Sequence, residues 1–205
     1  IWRGLDHMLW VGTAAGGLYR IPGSRAEAVA REIGPIWSGL IDRSGTLWVA
    51  GDQGLKTLRD NQLGVAFAEQ GLSGRVLTMF EDREGSLWAG TRYSGVVRLT
   101  AGQVLSVGHE LEFPSVLSVR EDRAGRVWFG TAGGGLGRLD GDRLTLYGTR
   151  DGLVSDIVGP VSEDREGRIW FGPRAGNRLQ RVENGRVLSV PLEGTPASFM
   201  KFDVL

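Results

Sequence analysis

Five tryptophans recur along the chain at a nearly constant interval. Trp10, Trp48, Trp88, Trp128 and Trp170 are separated by 38, 40, 40 and 42 residues. A fixed period of that length marks a chain built from copies of one small unit. The neighbours recur with the rings. Asp42, Asp82, Asp122 and Asp164 stand six residues before their tryptophans, and Gly45, Gly85, Gly125 and Gly167 stand three before. A glycine follows shortly after each ring (Gly12, Gly51, Gly90, Gly130, Gly172), and then an apolar–x–Arg/Thr–apolar segment: LYRI, LKTL, VVRL, LGRL, LQRV.

One unit can be read physically from residues 116–148. VLSVRED is an apolar, strand-forming run, and DRAG places Asp first and Gly fourth, the chemistry of a tight hairpin turn. RVWFGT, LGRLD and LTLYG follow as three more strands, separated by AGGG and GDR. Four short consecutive antiparallel strands make one small twisted sheet. The VWFG strand is apolar on both faces, so it must be covered on both sides. Sheets stacked face to face supply that cover, with tryptophans filling the gaps and the following glycines leaving room for the facing sheet. About forty residues and four strands per unit is the pattern of a β-propeller blade. An open stack of sheets is the alternative, and the even repeat length favours radial closure.

The expected class is therefore all-β, a propeller of four-stranded antiparallel blades with about five blades present. Approximate blades are 1–35, 36–75, 76–115, 116–156 and 157–197, with 198–205 opening a further one. The pattern begins and ends in mid-unit, so a fragment of a larger, seven-bladed ring is expected. Composition agrees with many tight turns: glycine supplies 33 of 205 residues, about twice the usual share. The 24 acidic and 24 basic residues balance, so no global field recruits nucleic acid. Cysteine is absent, which removes disulfides and thiolate metal sites without choosing a compartment. No apolar run approaches the roughly 18 residues of a membrane span.

The copies EDREGSLWAGT and EDRAGRVWFGT, with the linker YGTRDGLVSDIV at 147–158, resemble the two-component regulator propeller repeat. In the linker, Asp151, Gly152, Leu153 and Ser155 match the segment that the family uses to join blades; EQGLSGRVL at 69–77 is a shorter version. The resemblance implies the periplasmic sensor region of hybrid histidine kinases and related bacterial signalling proteins. It implies a partner too: a downstream membrane and output region, beside the remainder of the propeller. The first copy departs from the pattern, with Gly4 and His7 where the turn Asp and Gly belong, so a different hairpin is expected there.

The repeated aspartates invite a calcium or catalytic reading, but equivalent positions on different blades do not converge. Asp42, Asp82, Asp122 and Asp164, with their glycines and tryptophans, read as structural turn chemistry. No cofactor or metal is expected. The two histidines are His7 and His109, the latter beside Glu110 and Glu112; a propeller lyase that uses a histidine base is the enzymatic alternative, and a protein-interaction scaffold is another. Function is expected where the copies differ. The loops between second and third strands share one face with those that join blades. That face carries Asp52, Gln53, Arg75, Arg92, Tyr93, Arg150, Asp151, Ser155, Asp156, Arg174 and Asn177. Trp37, off the ladder at the start of a first strand, is either a stacking platform there or core filler. Such residues suit a polar ligand, for instance a glycan fragment. The expectation is a non-catalytic extracytoplasmic sensor, signalling through ligand binding or homodimerisation.

Overall fold

In the computed structural model, the described residues are all those except 5–6, 60–61, 68–71, 73, 101–102, 108–114, 174–177 and 192–205. They form twenty strands in five four-stranded antiparallel sheets, each built from consecutive strands. The first sheet holds β1 (Trp2–Arg3), β2 (Leu9–Gly12), β3 (Leu18–Ile21) and β4 (Glu27–Ala30). The second holds β5 (Ile36–Ile41), β6 (Leu47–Gly51), β7 (Gly54–Arg59) and β8 (Gln62–Ala66). The third holds β9 (Val76–Glu81), β10 (Leu87–Thr91), β11 (Val96–Thr100) and β12 (Gln103–Val107). The fourth holds β13 (Val116–Glu121), β14 (Val127–Thr131), β15 (Leu136–Asp140) and β16 (Arg143–Tyr147). The fifth holds β17 (Val158–Glu163), β18 (Ile169–Pro173), β19 (Arg178–Glu183) and β20 (Arg186–Pro191). The all-β propeller class expected from the repeat is borne out.

The chain separates into two compact units, residues 1–92 with 97–106, and residues 93–96 with 107–205. In the first unit, Leu18 packs with Ile36, Leu47 and Val49 of the second sheet. Ala50 and Leu55 of the second sheet pack in turn with Val76, Met79, Leu87 and Leu99 of the third, and Trp48 lies against that cluster. In the second unit, Trp128 packs with Val158, Val161, Ile169 and Phe171 of the fifth sheet. The second strands are buried throughout in β10 and β14, as runs apolar on both faces require. Gly130 shows why the position two residues after the tryptophan stays small. A Cβ there would stand 2.5 Å from the carbonyl oxygen of Gly159 in the fifth sheet.

The Asp-x-x-Gly hairpins carry more than turn chemistry. Each glycine takes a left-handed φ, from +79° at Gly167 to +85° at Gly45, a conformation that costs glycine nothing. Each aspartate caps its turn: Oδ1 accepts the backbone N–H four residues on, at 2.9 Å from Thr46 and 2.7 Å from Ser86. Oδ2 accepts the indole N–H of the ladder tryptophan, at 2.7 Å in the pairs Asp42–Trp48, Asp82–Trp88 and Asp122–Trp128 and 2.5 Å in Asp164–Trp170. Six residues of spacing thus joins a turn to a ring of the ladder, buried in Trp88 and Trp128 and half-buried in Trp48 and Trp170.

The first hairpin corrects an expectation. Gly4 N–H donates to the Met8 carbonyl at 2.8 Å and His7 N–H to the Gly4 carbonyl at 3.0 Å. These bonds repeat those of Asp42 with Thr46 and of Gly45 with Asp42. His7 adopts φ +64°, so the same turn forms with a non-glycine residue at the left-handed position, which costs about 1 kcal/mol. In the linker, Thr149–Asp151 forms a 3-10 turn that ends at Gly152, φ +101°.

Candidate functional site

In the first unit, Trp37, Asp52 and Arg75 converge. Trp37 is the second residue of β5, where pairing to β6 jumps from Ile36–Gly51 to Ser38–Ala50 and leaves it without a cross-strand partner. Such a bulge re-aims the side chain it releases. The same irregularity occurs at Leu77 in β9 and Leu117 in β13, and over Gly159 and Pro160 in β17. The device is common to four sheets, and in the second it presents a tryptophan. Trp37 is 47% exposed, so it does not fill the core.

Asp52 lies in the two-residue turn from β6 to β7 and is tied to the entrance of β5 by its N–H to the Pro35 carbonyl, 3.2 Å. Its Oδ1 accepts the Trp37 indole N–H at 2.5 Å, and its Oδ2 accepts Arg75 Nη2, also at 2.5 Å. Arg75 comes from the linker into the third sheet, and its guanidinium stands 5.9 Å from the Trp37 ring centroid. One carboxylate therefore fixes both an indole and a guanidinium from different sheets. The arginine is also positioned by its own backbone, whose carbonyl accepts the N–H of Arg92 at 3.0 Å. Asp52 and Arg75 neutralise each other, and both side chains stay partly exposed. The cluster offers an aromatic face, guanidinium N–H donors and no surplus charge.

The remaining loop residues divide. Gln53 accepts Lys56 Nζ at 2.7 Å, and Lys56 also reaches the Ile33 carbonyl at 3.3 Å. Tyr93 is 76% exposed, and Arg150 is exposed on the 3-10 turn. Asp151 and Asp156 fold the linker itself: Asp151 Oδ2 accepts the Gly148 N–H at 2.8 Å, and Asp156 Oδ1 accepts the Thr149 N–H at 2.9 Å. Ser155 Oγ accepts the Ile157 N–H at 3.1 Å. Arg174, Asn177, His109, Glu110 and Glu112 lie outside the described residues. His7 is the turn residue already described.

Two contributors were not singled out by sequence. Lys56 stands at the second position of LKTL, where other copies carry Tyr, Val, Gly or Gln; that divergence was the available signal. Gln180 is 1% exposed in β19. It accepts the Val154 N–H at 3.0 Å and donates to the Gly152 carbonyl at 2.9 Å, which anchors the linker to the fifth sheet. A buried amide inside an apolar strand pattern was its only trace. Among the described residues, no group of three His, Cys, Asp or Glu side chains could hold a metal ion.

The five meander sheets and their packing place the chain among β-propellers. Two stretches, residues 70–93 and 110–133, match the family model described as "Two component regulator propeller". Solved structures share the fold at low identity. Virginiamycin B lyase from Staphylococcus aureus matches with a TM-score of 0.74 at 11% identity, covering 95% of this chain and 69% of that one. The extracellular domain of a putative hybrid two component system from B. thetaiotaomicron matches with a TM-score of 0.73 at 19% identity. That match covers 93% of this chain but 30% of the other, so this chain spans under a third of that domain. A gluconolactonase from Xanthomonas campestris matches with a TM-score of 0.62 at 13% identity, covering 98% of this chain and 84% of that one. No curated protein sequence matches.

Proposed function

We propose that this chain is a non-catalytic, ligand-sensing part of the extracytoplasmic propeller of a bacterial two-component signalling protein. It binds a small, neutral, polar ligand at Trp37, Asp52 and Arg75 and passes the change to an output domain. The observation that carries the reading is the Asp52 carboxylate, which holds an exposed indole and a guanidinium side by side. An aromatic face beside fixed N–H donors suits a sugar ring, whose apolar face stacks while its hydroxyls bond. The internal ion pair disfavours a charged ligand. The repeat family and the fold shared with an extracellular two-component domain support the signalling role and the periplasmic location. The lyase and gluconolactonase matches share fold alone, and the cluster holds no nucleophile–base pair of the kind hydrolysis or elimination needs.

The test is a tryptophan-fluorescence and calorimetric titration of the chain with a panel of neutral oligosaccharides. Saturable binding that Trp37→Ala abolishes supports the reading. It fails if binding is unchanged in Trp37→Ala and Arg75→Ala, or if no glycan binds while a protein partner does, which favours the scaffold alternative. Turnover of a lactone or cyclic depsipeptide by the unmodified chain would make it an enzyme.

A further inference from the structure

The second unit contains a cleft of about 290 Å3, lined chiefly by Arg126, Trp128, Arg138, Glu166, Arg168 and Glu183. Most of its charges are already matched. Arg126 pairs with Asp122 at 2.6 Å, Arg168 with Asp164 at 2.6 Å and Glu166 at 2.7 Å, and Glu183 with Arg181 at 2.9 Å. Arg138 is the exception. Its Nη2 donates to Thr145 Oγ1 at 3.3 Å, and among the described residues no carboxylate pairs with it.

The repeat shows what is missing. Arg138 stands opposite Trp128 on the neighbouring strand, as Arg20 stands opposite Trp10 and Arg181 opposite Trp170. In the third sheet Arg98 lies over the Trp88 ring at 5.5 Å. Each of these other arginines has an acid: Glu27 for Arg20, Glu84 for Arg98, Glu183 for Arg181. In the fourth sheet the place of Glu84 is taken by Ala124 and that of Ser86 by Arg126. The place of Glu183 falls to Asp140, one methylene shorter, which does not reach. Trp128 carries two cations, with Arg126 at 5.8 Å and Arg138 at 5.7 Å from its centroid, as Trp170 carries Arg168 and Arg181. The Nε of Arg138 is buried without a partner, but so is that of Arg98, so that feature belongs to the arginine–tryptophan stack and not to a ligand.

We propose that this cleft binds a small organic carboxylate, whose charge stands beside Arg138 as Glu84 stands beside Arg98. The chemistry selects one negative charge. Arg138 is the one lining guanidinium without a carboxylate among the described residues, and Glu166 and Glu183 repel a dianion. Guanidinium matches carboxylate by parallel N–H···O bonds. The ring of Trp128 is 2% exposed, so the remainder of the ligand meets the polar turn at Asn184 and Gly185 rather than an aromatic face.

The experiment follows the Arg138 Nε–H resonance of the full chain during titration with glucuronate, acetate, sulfate and chloride. Glucuronate and acetate are expected to give saturable shifts, with sulfate weaker. Ala124→Glu supplies the acid internally at a place where the third sheet already carries one, and should weaken glucuronate binding at least about tenfold. Arg138→Gln should remove it. Shifts that never saturate, that chloride reproduces, or that persist in Ala124→Glu overturn the proposal.

Discussion

Arg123 donates its backbone N–H to Glu163 of the following sheet at 2.9 Å, and its guanidinium reaches the Arg165 carbonyl at 2.8 Å. Arg43 repeats the arrangement with Glu81 at 2.9 Å and the Arg83 carbonyl at 2.6 Å. The charged tetrapeptide is thus a relay: glutamate receives the preceding sheet, aspartate caps the turn and the ring, and arginine reaches the next sheet. The second copy, IDRSG, has Ile41 at the glutamate position, and the first copy has Leu5 at the arginine position.

The latch predicts a measurable coupling. Arg123 is well exposed while Glu163 is mostly buried, so the side-chain ion pair itself contributes little, and the backbone N–H bond to a carboxylate contributes more. Glu163→Ala should cost about 1–2 kcal/mol in denaturant unfolding. A double-mutant cycle with Arg123→Ala, which keeps the backbone N–H, reads the side-chain pair alone and should show about 0.2–0.5 kcal/mol of coupling. A coupling above about 1 kcal/mol would mean that the side-chain pair, and not the backbone bond, holds the two sheets.

Asp164 should matter more than any surface charge. It is 5% exposed and accepts from Trp170, from the Arg168 backbone and from Arg168 Nε. Asp164→Ala leaves those donors without an acceptor and should cost about 3 kcal/mol. Trp170→Phe removes the indole N–H with it and should be milder than Trp170→Ala, which also opens a cavity. No loss in Trp170→Phe would show that the indole bond adds nothing, and equal losses in the two variants would show that the ring's packing adds nothing.

Acid should expose the same group. Burial works to raise the Asp164 carboxyl, but hydrogen bonds from Trp170 and Arg168 outweigh it and hold the group at about 2, below its usual 3.8. Asp42 is likewise lowered: burial opposes, and bonds from Ser44, Trp48 and Thr46 prevail. A depressed folded-state value stabilises the fold above the unfolded-state value and ceases to do so as pH falls through the folded one. Stability should therefore decline from about pH 4 towards pH 2, and less steeply in Asp164→Asn. Denaturant midpoints measured across that window decide it, and parallel slopes would refute the assignment.

What sequence made legible is what repeats. Period, turn residues and two-sided apolar strands led to five four-stranded sheets because each rests on local chemistry that every copy restates. The indole bonds to the aspartates were not legible, since a spacing of six does not reveal that a turn brings the two side chains together. The aim of Trp37 was hidden for a similar reason. A bulge is a mismatch between two strands, and neither strand alone encodes it. His7 misled in the opposite direction: the hydrogen bonds of the hairpin hold a non-glycine residue in the left-handed region, against its intrinsic preference.

Gln180 supplies the last prediction, since its side-chain amide ties a blade-joining linker to the fifth sheet. It is buried, and besides its two linker bonds it donates to Ser189 Oγ at 2.9 Å, so a replacement must leave several groups unpaired. Gln180→Leu keeps most of the volume but strands the Val154 N–H and the Gly152 carbonyl. A cost of about 2–3 kcal/mol is expected. The loss should be local before it is global: Val154 should exchange its amide hydrogen faster while the β14 amides keep their protection. If Val154 exchange is unchanged in Gln180→Leu, the linker is held by Leu153 in the apolar cluster and the amide is incidental.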